Sequence, residues 1–153
     1  MTVRSIFIAA AVSLLVVLPS AAKNYKVVSP DGNLSVTLVV GQTISYAVSR
    51  GDALLIGTSE ISMTMTDGSV FGKNDNVRKV RKASVDKTLP AVAYKKAEVR
   101  DNYNEITLIF KEFSLVFRAY DEGIAYRFVN GPGEAFVQDE QAEFRFANDW
   151  TAY

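Results

Sequence analysis

The chain has no cysteine and no histidine. Without cysteine there is no disulfide framework, so stability must come from a packed core. Without histidine there is no Ser-His-Asp triad and no imidazole proton shuttle, and without either residue there is no ordinary zinc site. A metal here would be a hard cation on oxygen ligands, such as calcium. Neither sign of charge is in excess, with 17 Lys+Arg against 17 Asp+Glu. That balance argues against a general nucleic-acid binder. After residue 22 there is no apolar run of the roughly 20 residues a bilayer span needs, and no amphipathic helical period of useful length.

The one long apolar run lies at the start. Arg4 precedes residues 6–18, and Pro19-Ser20-Ala21-Ala22 offers small residues at cleavage spacing. This reads as a signal peptide over residues 1–22, an apolar helix removed on export, rather than an uncut anchor. No cysteine follows it, which excludes a lipid-anchored bacterial lipoprotein. The expected location is periplasmic or secreted, with no membrane contact after cleavage.

Residues 23–153 are enough for one domain with a sizeable core. Short strand-like stretches alternate with turn residues throughout. Residues 25–29 form a strand, and Ser29-Pro30-Asp31-Gly32-Asn33 is a strong turn. Leu34, Val36, Leu38 and Val40 alternate cleanly, and Gly41-Gln42 turns the chain into a strand over residues 43–49. Asn33-Leu34-Ser35 spells a glycosylation triplet, which a bacterial-type secreted chain leaves unused. Residues 53–60 read as a covering loop before a strand at 61–66. Residues 73–87 carry Lys73, Arg78, Lys79, Arg81, Lys82 and Lys87 with no interleaved aromatic, so they read as a lysine-protected sheet edge rather than a phosphate site. An irregular strand is expected over 89–99, a turn at Asp101-Asn102-Tyr103-Asn104, and strands at 105–110, 136–137 and 142–147. In all, nine to eleven strands are expected, hence an all-β, antiparallel sandwich.

Residues 113–129, FSLVFRAYDEGIAYRFV, form the central feature: a hairpin whose three-residue loop closes with Gly123 in the left-handed region. With Tyr120 facing Ile124, both faces are largely apolar, so the hairpin is expected to lie centrally and to be covered on both sides. Arg118 and Arg127 then point to opposite faces. At least one is expected to be largely buried and paired with Glu105 or Glu143.

Only carboxylates remain as catalytic currency. Asp121 and Glu122 are adjacent at a hairpin tip and diverge, whereas a glycosidase pair needs roughly 5 to 10 Å between opposed carboxylates. Glu134, Asp139, Glu140 and Glu143 form an acidic cluster without calcium-loop spacing, and Asn74-Asp75-Asn76 lacks the terminal Glu. Tyr94, Tyr103, Trp150 and Tyr153 have the chemistry to stack on a sugar, although strand aromatics usually belong to cores. A lipocalin-like carrier would need a lumen.

Taken together, several of these pieces resemble the N-terminal domain of glycoside hydrolase family 97. Residues 117–128, FRAYDEGIAYRF, are similar to that family's F-R-A-Y-D-[DE]-G-[IV]-A-[FY]-R-[FY] signature. Asp101-Asn102-Tyr103-Asn104-Glu105, Ser29-Pro30-Asp31-Gly32 and Glu140-x-x-Glu143-Phe144-x-Phe146 match further segments, while Tyr94-Lys95-Lys96 departs from an expected Tyr-Gly-Glu. The resemblance implies a secreted bacterial exo-acting α-glucosidase or α-galactosidase that uses Ca²⁺. Such an enzyme has an N-terminal β-super-sandwich, a (β/α)₈ barrel bearing the catalytic carboxylates, and a small C-terminal β domain. Residues 23–153 cannot include a barrel of about 250 residues. The expectation is therefore an incomplete, non-catalytic N-terminal sandwich with no catalytic, cofactor or metal residue of its own. Carbohydrate would be met through the barrel, and Ca²⁺ would belong to the complete enzyme. The alternative is a stand-alone periplasmic carbohydrate-binding module.

Overall fold

A computed structural model describes residues 22–90 and 97–149. Residues 1–21 of the expected 1–22 signal peptide, Tyr94-Lys95-Lys96, Trp150 and Tyr153 lie outside them. The described residues form ten strands and no helix: β1 (Lys23–Val28), β2 (Leu34–Val40), β3 (Ile44–Arg50), β4 (Ala53–Met65), β5 (Val70–Phe71), β6 (Lys79–Pro90), β7 (Glu98–Ile109), β8 (Phe113–Tyr120), β9 (Ile124–Asn130) and β10 (Val137–Ala142). Two antiparallel sheets result. One runs β1-β2-β3-β4-β10, with β5 also on β4, and the other runs β6-β7-β8-β9.

The sheets face each other across one core, as the period of two in β2 requires: Leu34, Val36, Leu38 and Val40 are buried while the intervening residues are half-buried. They join Val27, Ile44, Tyr46, Val48, Ile61 and Phe71 from the first sheet. The second sheet contributes Ile106, Leu108, Phe110, Phe113, Leu115, Phe117 and Ala119. The Phe71 and Phe113 rings stack across the layers with centroids 4.5 Å apart. Gly72 is required where the chain leaves β5: its φ is +98°, and a Cβ there would lie 2.8 Å from the Ile61 carbonyl oxygen.

The hairpin register differs from expectation by one residue. Ala119 pairs with Ile124 and Phe117 with Tyr126. The Tyr120 amide donates to the Gly123 carbonyl at 2.8 Å, leaving Asp121-Glu122 as a two-residue tip. Gly123 is not in the left-handed region. A one-residue slip reassigns every side chain on one strand relative to the other. Leu115, Phe117 and Ala119 therefore share the core face with Ile124, Tyr126 and Phe128, and Arg118 and Arg127 share the outer face rather than opposing it. Nor is the hairpin central, because β9 is an edge strand.

Three further corrections concern where strands begin and end. Residues 53–60 are part of the long strand β4, which pairs with β3 through two register shifts. Asp101-Asn102-Tyr103-Asn104 is not a turn but lies within β7, which pairs with β6 over its whole length, from Lys79↔Ile109 to Pro90↔Glu98. The expected strand over 89–99 is accordingly split between the end of β6 and the start of β7. The last expected pair is instead the single strand β10 on β4, followed by an isolated bridge between Phe146 and Ile56. By contrast, the lysine-rich stretch does form an exposed edge, β6. Because β8 meets β7 only between Tyr103 and Ile109, the far ends of β6 and β7 project as a two-stranded arm.

The corrected register predicts unequal costs for two apolar residues that the original register had put on one face. Leu115 is fully buried and Val129 is 39% exposed. Leu115→Ala should cost about 2–5 kcal/mol, and Val129→Ala less than about 1 kcal/mol, as read from urea melts.

Candidate functional site

Three places bring the sequence-derived candidates together. The first is the hairpin tip. The Asp31 amide donates to Asp121 Oδ1 at 2.9 Å, and Arg50 Nη2 donates to the Asp121 carbonyl at 3.1 Å. Asp121 thus docks the tip onto the 29–33 turn. Within that turn Ser29 Oγ and the Asn33 amide both donate to Asp31 Oδ1, and Asn33 Nδ2 donates to Oδ2. These bonds, the Ser29 hydroxyl first, lower the Asp31 carboxyl from 3.8 to about 2. Beside the tip an open cleft of about 420 Å³ is lined by Glu98, Val99, Arg100, Asn102, Tyr120, Asp121 and Glu122. Arg100 is already engaged there, donating from Nε and Nη2 to the two oxygens of Asp86, each at 2.8 Å.

The second place is the outer face of the β6–β9 sheet. Arg118 Nε donates to Glu105 Oε2 at 2.8 Å, and its guanidinium carbon lies 4.2 Å from the Tyr103 ring centroid. Tyr120 packs on Tyr103 with centroids 5.1 Å apart. The expected carboxylate partner is thus confirmed in Glu105. The expected depth is not, because the Arg118 side chain is 31% exposed and that of Glu105 20%. A single sheet face can only half-bury a guanidinium, and no second layer covers this face among the described residues. Tyr103 is buried beneath the arginine, which occupies the ring face a sugar would need.

The third place is the acidic cluster around β10. Glu143 Oε2 accepts the Glu60 amide at 3.0 Å and pairs with Arg145 at 3.0 Å, so it does not meet the hairpin arginines. Glu140 accepts the Tyr126 hydroxyl at 3.3 Å. Burial, followed by the Glu140 charge, pushes the Tyr126 phenol up to about 12. Asp75 Oδ2 accepts the Gly72 amide at 2.8 Å, next to Asn74 at φ 55°, so the 74–76 stretch acts as a loop clamp. Burial raises the Asp75 carboxyl. No three acidic groups converge on a metal-binding point among the described residues. These carboxylates are tied to backbone amides, a phenol and an arginine, so the set does not fit a calcium site.

The sequence reading missed the Arg100–Asp86 clamp and the role of Tyr46, whose buried hydroxyl donates to the Glu143 carbonyl at 2.8 Å. A tyrosine at a core position of β3 was the available signal, since a buried phenol needs an acceptor.

The Glycosyl-hydrolase 97 N-terminal family model matches residues 27–153. A retaining alpha-galactosidase of Bacteroides thetaiotaomicron is 39% identical over 134 residues, covering 86% of this chain and 20% of that protein. A glycoside hydrolase family 97 enzyme from Pseudoalteromonas sp. strain K8, solved with panose, superposes with a TM-score of 0.70 at 24% identity, over 81% of this chain and 20% of that one. A beta-arabinopyranosidase superposes with a TM-score of 0.73 at 24% identity, over 81% and 21%. At that identity the two structures support the fold alone. The chain spans about a fifth of the length of the relatives it matches.

Three outcomes follow. Arg118→Met strands a half-buried carboxylate and removes the cation–π contact, so it should cost about 1–2 kcal/mol. Arg127→Met, on an exposed site with no ion pair among the described residues, should stay within about 0.5 kcal/mol in urea melts. The lowered Asp31 carboxyl gives a signed pH effect: its contribution is complete above the ordinary value of 3.8 and is lost as pH falls toward about 2. Ser29→Ala should flatten that acid limb in melts between pH 4 and pH 2; an unchanged limb would contradict the assignment.

Proposed function

Because the chain belongs to the glycosyl-hydrolase 97 N-terminal family, we propose that it serves as the non-catalytic β-sandwich of an exported, exo-acting bacterial glycoside hydrolase. In this reading it packs against a catalytic barrel that supplies the reacting carboxylates. The observation that carries the proposal is the family match over residues 27–153. The residue chemistry agrees with it. Asp31, Asp86, Glu105, Asp121 and Glu143 all hold protein groups, and none is presented as one of two opposed, available carboxylates. The substrate class is an α-linked glycoside. An α-galactoside is favoured over an α-glucoside by the 39% identical relative, which is named a retaining alpha-galactosidase. In this reading any calcium ligands belong to the rest of the complete enzyme. Export through the 1–22 segment would put the enzyme in the periplasm or outside the cell.

A stand-alone carbohydrate-binding module draws less support, because the Tyr103 ring already carries a guanidinium on its face. Residues 23–153 contain every strand described, and they should turn over neither p-nitrophenyl α-galactoside nor p-nitrophenyl α-glucoside. Measurable hydrolysis by the purified domain would overturn the proposal. Saturable heat on titration with melibiose or maltose would favour the binding module instead.

A further inference from the structure

The outer face of the β6–β9 sheet carries more positive charge than its own carboxylates neutralise. Glu105 is held by Arg118, and Asp101 pairs with Lys87 at 3.8 Å. Lys79, Arg81 and Arg127 lie on the same face by register, and none has an ion pair among the described residues. Arg118 pairs with Ala125 and Val116 with Arg127, so the two arginines are diagonal neighbours on β8 and β9. Such a diagonal sets Cα atoms about 7–8 Å apart, within reach of long side chains. Together with Val116, Tyr120, Ala125 and Tyr126 the pair lines a hollow of about 110 Å³. Its floor is apolar. Val116 lies outside the core cluster, facing outward, yet it is only 6% exposed.

The two arginines differ in how they are held. Glu105 takes Nε of Arg118, and the guanidinium carbon rests 4.2 Å from the Tyr103 ring centroid, so this cation is already oriented. Arg127 is exposed. Like charges on neighbouring strands repel, and an anion set between them removes that repulsion while accepting a hydrogen bond from each. A carboxylate suits the pair, because each of its two oxygens can meet one guanidinium. The hollow adds a second requirement, a compact C–H surface to rest on Val116 and Ala125, with the Tyr120 hydroxyl at its rim. A hexuronate meets both requirements. A neutral hexose leaves the charges unanswered, and a simple carboxylate leaves the floor uncovered.

We propose that the hollow between Arg118 and Arg127 binds the carboxylate of an acidic sugar, a hexuronate unit of a glycan. Arg118 is the preset half of the clamp and Arg127 the half that the ligand orders. Arg81 stands in the same cross-strand row as Arg127, about 14 Å away across three strand spacings, and extends the positive field over the sheet. The choice of a sugar to carry the carboxylate rests on reading the chain as part of a glycoside hydrolase.

The test is calorimetric titration of the purified chain with digalacturonate, at low and at high salt. Galactobiose serves as the neutral counterpart, and glutarate as a dicarboxylate without a ring. Digalacturonate should bind saturably, at least tenfold more tightly than either, and less tightly at high salt. Arg127→Gln should weaken it at least tenfold while leaving the urea melt unchanged. Lys26→Gln, on β1 of the other sheet, should alter it less than twofold. The inference is overturned if digalacturonate gives no saturable heat, or if galactobiose or glutarate binds as tightly. It is equally overturned if Arg127→Gln binds like the wild type, or if Lys26→Gln weakens binding as much. Hydrolysis of p-nitrophenyl α-galactoside by the chain would defeat the functional proposal without altering these titrations, so the two failures are distinguishable.

Discussion

Tyr46 joins both layers of the sandwich to the last segment of the described chain. Its ring is 1% exposed and lies 5.6 Å from Phe117, 6.1 Å from Tyr126 and 6.3 Å from Phe144. A phenol at such depth needs an acceptor, and it finds the Glu143 carbonyl at 2.8 Å. Burial, with the nearby Glu143 charge, raises this phenol's pKa, so it stays a donor at all ordinary pH values. One residue of β3 thereby sets the spacing of the facing sheet and the path of the segment after β10. The backbone bonds Glu143 to Glu60, Gly57 to Arg145 and Ala147 to Leu55 then lay that segment along β4.

The edges of the two sheets are managed by different devices. β6 is exposed at eleven of its twelve residues, all but Val85, and carries Lys79, Arg81, Lys82 and Lys87, which discourage another strand from pairing with it. β10 has a register shift between Val137 and Asp139 and an inward-placed Glu140. Charge and irregularity protect this second edge, although its apolar neighbours remain uncovered. The difference is physically informative. The β6 edge exposes Val80 and Leu89 singly, whereas the β10 edge lies beside three exposed phenylalanines, Phe136, Phe144 and Phe146.

Much of the fold is legible from alternation alone. Leu34, Val36, Leu38 and Val40 define β2 to the residue, because one buried face leaves no other register. The hairpin failed at the point where local chemistry is ambiguous. Asp121-Glu122-Gly123 is compatible with a two- or a three-residue loop. A contact ninety residues away, Asp31 on Asp121, accompanies the shorter one. Asp101-Asn102-Tyr103-Asn104 has turn composition, yet uninterrupted pairing with β6 holds it extended. Carboxylate partners were readable by type but not by place: Glu105 does meet Arg118, while Glu143 pairs with Arg145, two residues along. The hairpin motif is legible for the opposite reason, since its twelve residues are a sequence pattern and need no geometry to be matched. What that pattern could not convey was which side of the sandwich stays open, because openness depends on sheet order rather than on residue type.

The central claim is a sandwich of this family whose core, among the described residues, is covered less completely beside β9 and β10 than within β2, β3 and β8. Native-state amide exchange of the isolated domain, resolved by residue, tests it most directly. The account predicts the slowest exchange in β2, β3 and β8, and fast exchange at the outward amides of β9 and β10. Protection of those β9 and β10 amides equal to that of β3 would contradict it.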